Sequence, residues 1–117
     1  MKIIRHFEEI EARSFSGDQV KGVAGRVAIG AADGAANFCM RLFTVEPGGH
    51  TPRHSHDWEH EILVHEGKGQ VFRDGSWNDI ERGSVIFIPP NEEHQLRNND
   101  TTPFVFACLI PQGAPEL

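Results

Sequence analysis

The sequence contains no tyrosine, only two cysteines and no long apolar run. Cys39 and Cys108 both lie in apolar stretches, where free cysteine behaves as a small hydrophobe. We therefore expect two buried thiols in a reducing compartment, with a disulfide or a reactive thiol as the alternative. No apolar run approaches the roughly 18 residues of a membrane-spanning helix. The segment from Met1 to His6 leads directly into glutamates, without the apolar region of a signal peptide, which favours a cytoplasmic protein.

Basic residues are also scarce, because 11 lysines and arginines face 17 aspartates and glutamates, for a net charge of -6. This balance argues against nucleic acid as a partner, since phosphates require a basic patch. It argues equally against docking on an anionic membrane. A length of 117 residues with 38% hydrophobic content is typical of one globular domain, residues 1–117. We expect the N-terminal segment, residues 1–19, to be peripheral or to lie at a dimer interface.

What the sequence does contain is a series of short apolar, β-branched segments separated by glycine, proline and asparagine. We predict strands at Val20–Ile29, Phe38–Val45, Glu61–His65, Gln70–Arg73, Val85–Ile88 and Phe104–Ile110. Turns are predicted at 46–49, 74–76, 82–83, 89–91 and 98–100, and residues 30–37 are interpreted as a hairpin connection. Only the short segment from Phe7 to Ala12 looks helical. The pattern favours an all-β sandwich or barrel.

Five of the seven histidines fall between His50 and His65. In an extended chain, His54, His56 and His60 have the same parity and point to one face. Ile62 and Val64 continue this parity, as expected if the even positions face a barrel interior. His94 follows a Pro-Pro turn that gives it a defined direction. An exposed polar strand is the alternative interpretation, but it would not need these turns, and we predict a metal site.

Two segments resemble the signature motifs of the cupin superfamily. Residues 48–67 resemble the first signature, in the order Gly48, five residues, His54-Ser55-His56, four residues, Glu61, five residues and Gly67. Residues 83–98 resemble the second signature, through Gly83, Pro89, Asn91, His94 and Asn98. The resemblance implies a double-stranded β-helix, or jelly-roll barrel, with a metal ion inside one open end. It also implies a homodimer that pairs through N-terminal strands, and the apolar faces of Phe38–Val45 are consistent with such pairing.

The same resemblance implies metal ligands at His54, His56 and His94, normally with a glutamate. The acid of the family follows the second histidine by four or five residues, and here these positions are His60 and Glu61. The segment from His54 to Glu61 resembles the small single-domain bacterial members in which the histidine is the ligand, which implies a four-histidine site at His60. Parity agrees, because Glu61 would face away from the other ligands in a continuous strand. Glu61 is the alternative ligand, or a hydrogen-bond partner of one. Asn91 stands where the family usually has glycine, and asparagine tolerates the left-handed conformation of such a turn.

Four neutral imidazoles would leave the full charge of about +2 on one divalent ion per chain, which makes it a strong Lewis acid. Manganese or iron is expected first, with nickel, zinc, copper or cobalt as alternatives. Such a centre favours an oxygen-rich or anionic small molecule. We interpret the protein as an oxygenase or oxidase. A redox-neutral isomerase or decarboxylase and a non-enzymatic binding module are the alternatives, because one fold serves all three.

The walls of the site are harder to assign. Trp58, Arg41, Phe104 and Phe106 are the pocket candidates, although aromatic residues such as Phe87, Phe104 and Phe106 more often form core, and a lone arginine such as Arg41 or Arg97 is more often a surface charge. His50 is expected in an exposed loop or at the mouth of the site. His6 and His65 are expected at the surface.

Overall fold

The computed structural model describes residues 3–117, which form nine β-strands and two single turns of 3-10 helix, at Phe7–Glu9 and Ala31–Asp33. The strands are β1 Arg13–Phe15, β2 Lys21–Ile29, β3 Phe38–His50, β4 His60–Glu66, β5 Lys68–Arg73, β6 Ser76–Glu81, β7 Val85–Ile88, β8 Gln95–Arg97 and β9 Phe104–Pro111. All pairings are antiparallel, in the order β6-β5-β8-β3-β9-β4-β7, and β2 and β1 extend from β3. The sheet curls into a jelly-roll barrel, so the predicted all-β fold is confirmed.

Alternation along each strand separates the inside of the barrel from the outside. In β4, His60, Ile62 and Val64 are buried, whereas Leu63 and His65 between and beyond them are exposed. The most deeply buried side chains are those of Val45, Val64, Ile88, Phe104 and Ile110, each below 2% exposed. A strand with one buried and one solvated face needs this period of two. Parity within β4 therefore decides which side chains can reach the interior.

A second, smaller core lies on the outer face of the sheet. Leu42 and Val105 point outward there, and Phe7 and Ile10 of the N-terminal segment pack over them. Within residues 3–117, no helix is long and apolar enough to cross a membrane. The expected absence of a signal peptide rests in part on Met1 and Lys2, which lie outside the described residues.

The predicted strands are present with bounds shifted by a few residues, but three strands were missed. These are β1, β6 and β8, which are short or carry polar side chains on both faces and so show no alternation. The predicted turn at 46–49 is wrong, because β3 continues through it to His50 while Gly48 takes a φ of 80°. The predicted exposed loop around His50 is therefore the end of a strand. The expectation of Phe87 in the core is also wrong, since its side chain is 52% exposed.

Candidate metal centre

Two loops at one end of the barrel are joined backbone to backbone. His54 and His94 form an isolated antiparallel bridge, with N–H···O distances of 3.1 and 2.9 Å. The amide of Asn91 donates to the carbonyl of His56, and Asn91 has the predicted left-handed backbone with φ of 68°. The segment 51–59 is therefore a loop and not the continuous strand on which the parity argument for His54 and His56 was based. Cross-loop pairing, and not strand alternation, brings His54 and His56 towards His94.

The imidazoles of the four predicted ligands converge. The ligand atoms of His54, His56 and His94 all lie within 4.8 Å of one another. His60, at the start of β4, places its Nε2 atom 2.8 Å from Nε2 of His56, and its ring centre is 5.0 Å from that of His94. His94 and His60 are buried, at 3% and 7% exposed, and His54 is the most exposed of the four.

Two of these rings are oriented by backbone carbonyls. Nδ1 of His56 lies 2.9 Å from the carbonyl oxygen of Trp58, and Nδ1 of His94 lies 2.9 Å from that of Glu92. A carbonyl can only accept a hydrogen bond, so each Nδ1 carries the proton and each Nε2 is unprotonated. A fixed tautomer of this kind is what hydrogen-bond partners of metal-binding histidines provide. His56 and His94 are therefore set to bind through Nε2.

Burial keeps the cluster uncharged. Desolvation, followed by the positive charges of His94 and His56, lowers the pKa of His54 to about 4. Desolvation, followed by Arg41, lowers the pKa of His60 to about 3, and desolvation also lowers the pKa of His56 and His94. All four imidazoles are neutral at pH 7, which is the form that binds a metal ion.

His60 differs from the other three in its Nδ1 contacts. Nη2 of Arg41 lies 3.4 Å and Sγ of Cys108 lies 3.1 Å from Nδ1 of His60. A guanidinium can only donate, so Nδ1 of His60 accepts and the proton resides on Nε2, where it is donated to Nε2 of His56. A metal ion on Nε2 of His60 would require this proton to move to Nδ1, with Cys108 Sγ as the available acceptor.

The donor set fits a divalent transition-metal ion. Two nitrogens that bind one ion at about 2.1 Å and at a right angle are roughly 3 Å apart. The 2.8 Å between Nε2 of His56 and of His60 is close to that separation. Neutral imidazoles suit the ions from manganese to zinc. His56 and His94 already have the tautomer with an unprotonated Nε2, whereas His60 would have to change tautomer to bind a metal ion through Nε2.

Beside the histidines lies a cavity of about 250 Å³ whose walls are almost wholly apolar. Trp58, the predicted aromatic neighbour of the site, stacks on His56 at 4.0 Å between ring centres and lines the cavity. Phe106 and Arg41 line it as well, whereas Phe104 is fully buried beneath and does not. The other apolar walls are formed by Phe15, Val20, Val23, Phe43, Pro52, Ile62, Leu96, Pro115 and Leu117.

Glu61, the alternative ligand, lies on the other side of β4 from His60. Its carboxyl group contacts Glu59, and one oxygen is buried without a hydrogen-bond partner among the described residues. Burial, followed by the hydrogen bond and the negative charge of Glu59, raises the pKa of Glu61 to about 7. The side chain is absent from the cavity lining, so it is not brought to the histidines.

Sequence reasoning missed the cavity walls that come from distant segments. Phe15 and Val20 near the start and Pro115 and Leu117 near the end line the same cavity. Leu117 reaches so close to Gly25 that a β-carbon there would lie 2.8 Å from its Cδ2. Cys108 was predicted only as a buried thiol, and its contact with His60 links residues 48 positions apart. No local motif signals such contacts.

The fold is a curled antiparallel barrel, and three histidines that could hold a metal ion cluster at one open end. Residues 41–110 match the family model described as Cupin domain, and the chain belongs to this family. Family membership and the three-histidine cluster together suggest metal binding.

Solved structures agree with this assignment. The polyketide cyclase RemF from Streptomyces resistomycificus is 32% identical and aligns with a TM-score of 0.89, over 95% of this chain and 80% of that one. A predicted oxalate decarboxylase from Thermotoga maritima is 24% identical, with a TM-score of 0.82 over 93% of this chain and 98% of that one, and shows the fold alone.

An uncharacterized protein of Methanocaldococcus jannaschii is 30% identical over 74 residues, which are 62% of this chain and 59% of that protein. The chain thus spans about three fifths of the curated relative that it matches.

Proposed function

We propose that this protein is a metal-dependent enzyme whose divalent ion is held by His54, His56, His94 and His60. The observation that carries the proposal is the orientation of His56 and His94, whose Nδ1 atoms donate to backbone carbonyls at 2.9 Å and whose Nε2 atoms are therefore unprotonated. A histidine that served only the core would have no need to direct an unprotonated nitrogen at three other imidazoles. One ion per chain is expected, manganese or iron first, with nickel, zinc, copper or cobalt as alternatives.

We propose an aromatic, oxygen-rich and enolisable small molecule as the substrate. A bound divalent ion would supply a Lewis acid that stabilises the enolate of such a compound. The chain itself contributes the apolar walls, which exclude water and favour a flat ring, and Trp58, which stacks on His56 at 4.0 Å. An apolar cavity of roughly 150 Å³ accommodates benzene. The volume of about 250 Å³ therefore suits a substituted or bicyclic ring system.

We propose a redox-neutral reaction, an aldol-type ring closure. Its support is the 32% identity to a polyketide cyclase across 95% of this chain, together with the apolar cavity. Oxygenase chemistry, which the sequence favours, is the second candidate. The observation in its favour is the apolar lining of the cavity, because walls that exclude water protect reactive intermediates.

Metal content tests the centre. Protein purified without added metal should contain one ion per chain by plasma mass spectrometry, and His54→Ala, His56→Ala and His94→Ala should each lose it. His60→Ala and Glu61→Gln form the matched pair for the fourth position. We expect His60→Ala to lose most of the metal and Glu61→Gln to retain it. Metal loss in Glu61→Gln alone would refute the four-histidine centre.

The reaction class is tested with ortho-hydroxyacetophenone in D₂O. The metal-loaded protein should accelerate exchange of its methyl protons for deuterium, followed by NMR, while an oxygen electrode records no uptake. Chelator-stripped protein and His56→Ala should show only the background rate. Stoichiometric oxygen uptake would replace the redox-neutral proposal with an oxygenase. Equal exchange with stripped and loaded protein would refute metal-dependent enolisation.

A further inference from the structure

The cavity contains one buried cation without an anionic partner. Arg41 on β3 is 7% exposed, and within residues 3–117 no carboxylate lies within 4.0 Å of its guanidinium. Its Nε atom is buried and has no hydrogen-bond partner among the described residues. The guanidinium donates to Cys108 Sγ at 3.0 Å, and sulfur is a weak acceptor. Its contacts with His60 Nδ1 and with the carbonyl oxygen of Glu116 are long, at 3.4 Å each.

Such a group is costly to bury. A charge removed from water requires a partner of opposite charge or a full set of hydrogen bonds. The ring of Phe43 lies 4.9 Å from the guanidinium carbon and offers only a cation–π contact. The other arginine considered from the sequence, Arg97, is different, since it donates two hydrogen bonds to Gln70 and stacks over Trp77. Arg97 is satisfied within the fold, and Arg41 is not.

The charge of the cavity is opposite to that of the molecule. The chain has a net charge of -6, yet Arg41 is the one charged side chain among the described residues that line the cavity, since the four histidines are neutral and no acidic side chain is present. A divalent ion at the histidines would add to this positive potential. Low-dielectric walls strengthen its attraction for an anion.

We propose that Arg41 binds an oxyanion of the cavity's ligand, a carboxylate or enolate oxygen on an aromatic compound. Nδ1 of His60 contacts Arg41 and Nε2 of His60 contacts His56, so the imidazole of His60 alone separates the guanidinium from His56. A planar ligand with two oxygens can therefore face the cluster with one and Arg41 with the other. This deepens the proposed function, on which it rests for the cavity being the substrate site.

The test uses 2-naphthoate and its neutral isostere 2-naphthamide, titrated calorimetrically into chelator-stripped protein, so that no metal attracts the anion. We expect the parent to prefer the carboxylate by about tenfold or more, the value of a charge-assisted hydrogen bond. Arg41→Met should abolish this preference while it leaves the affinity for naphthamide within about threefold, and Arg41→Lys should restore part of it. Arg97→Met is the matched control and should behave as the parent.

Equal binding of both compounds by the parent would overturn the proposal, and so would an unchanged preference in folded Arg41→Met. If Arg41→Met does not fold, the ratio in the parent and its reduction in Arg41→Lys decide. Metal uptake is measured separately on the same variants. Intact metal binding without carboxylate preference contradicts only the role of Arg41. Carboxylate preference in a protein that takes up no metal contradicts only the proposed function.

Discussion

Acid should destabilise the metal-free protein, and His60 should account for a defined part of that loss. Burial, followed by Arg41, lowers the pKa of His60 from 6.5 to about 3 in the folded state. Between pH 6.5 and about pH 3, His60 is therefore protonated in the unfolded chain but neutral in the folded chain. Stability is at its full value above the unfolded pKa and falls as the pH drops from 6.5 towards 3.

The magnitude follows from these two values. At about pH 5 the difference in proton binding amounts to about 2 kcal/mol for His60 alone. For a domain of this size, that corresponds to a fall of about 8 °C in melting temperature between about pH 7.5 and about pH 5. The other three histidines lower stability further in the same window, because their pKa values are also lowered.

The assay compares variants and not absolute values. Chelator-stripped parent, His60→Gln and the exposed-residue control His65→Gln are melted across this pH range and followed by circular dichroism. His60→Gln should show a pH-dependent loss that is smaller by about 2 kcal/mol than that of the parent, whatever its stability at neutral pH. His65→Gln should follow the parent. An identical pH dependence in parent and His60→Gln would refute the desolvation argument for this site.

Further outcomes concern stability and association. Asn98→Ala removes three buried or partly buried hydrogen bonds and should lower the free energy of unfolding, measured in urea, by about 2–4 kcal/mol. The control Asn99→Ala alters an exposed side chain and should change this free energy little. Glu61→Gln should raise the melting temperature at about pH 8 but not at about pH 5, because the pKa of Glu61 is raised to about 7 and its stabilising protonated form is lost as the pH rises. Light scattering should show a homodimer. Phe87→Glu places a charge at a 52% exposed apolar position on the outer face of the sheet and should weaken this dimer. A dimer of unchanged stability in Phe87→Glu would exclude that face from the interface.

The ligand cluster was accessible from the sequence because its spacing is local. His54 and His56 stand two residues apart, and the proline turns before them and before His94 restrict how the chain can approach. The choice of His60 over Glu61 rested on the resemblance to a four-histidine subgroup and on parity, and β4 places His60 inside and Glu61 outside. The premise of a continuous strand from His54 was nevertheless wrong, since a loop precedes β4. Alternation holds from His60 onward, where the strand begins.

What the sequence by itself determined is the set of side chains available for chemistry and the family to which their spacing belongs. It also determined that Cys39 and Cys108 would be buried, because their neighbours are apolar. Only the tertiary structure decided that Phe87 is exposed and that Arg41 is enclosed, 67 positions from the Cys108 that it touches. Strand alternation specifies two faces but not which face is enclosed, since closure of the barrel depends on pairings between residues far apart in the chain. An arginine becomes a candidate for binding an anionic ligand only when that closure buries it without an anionic partner.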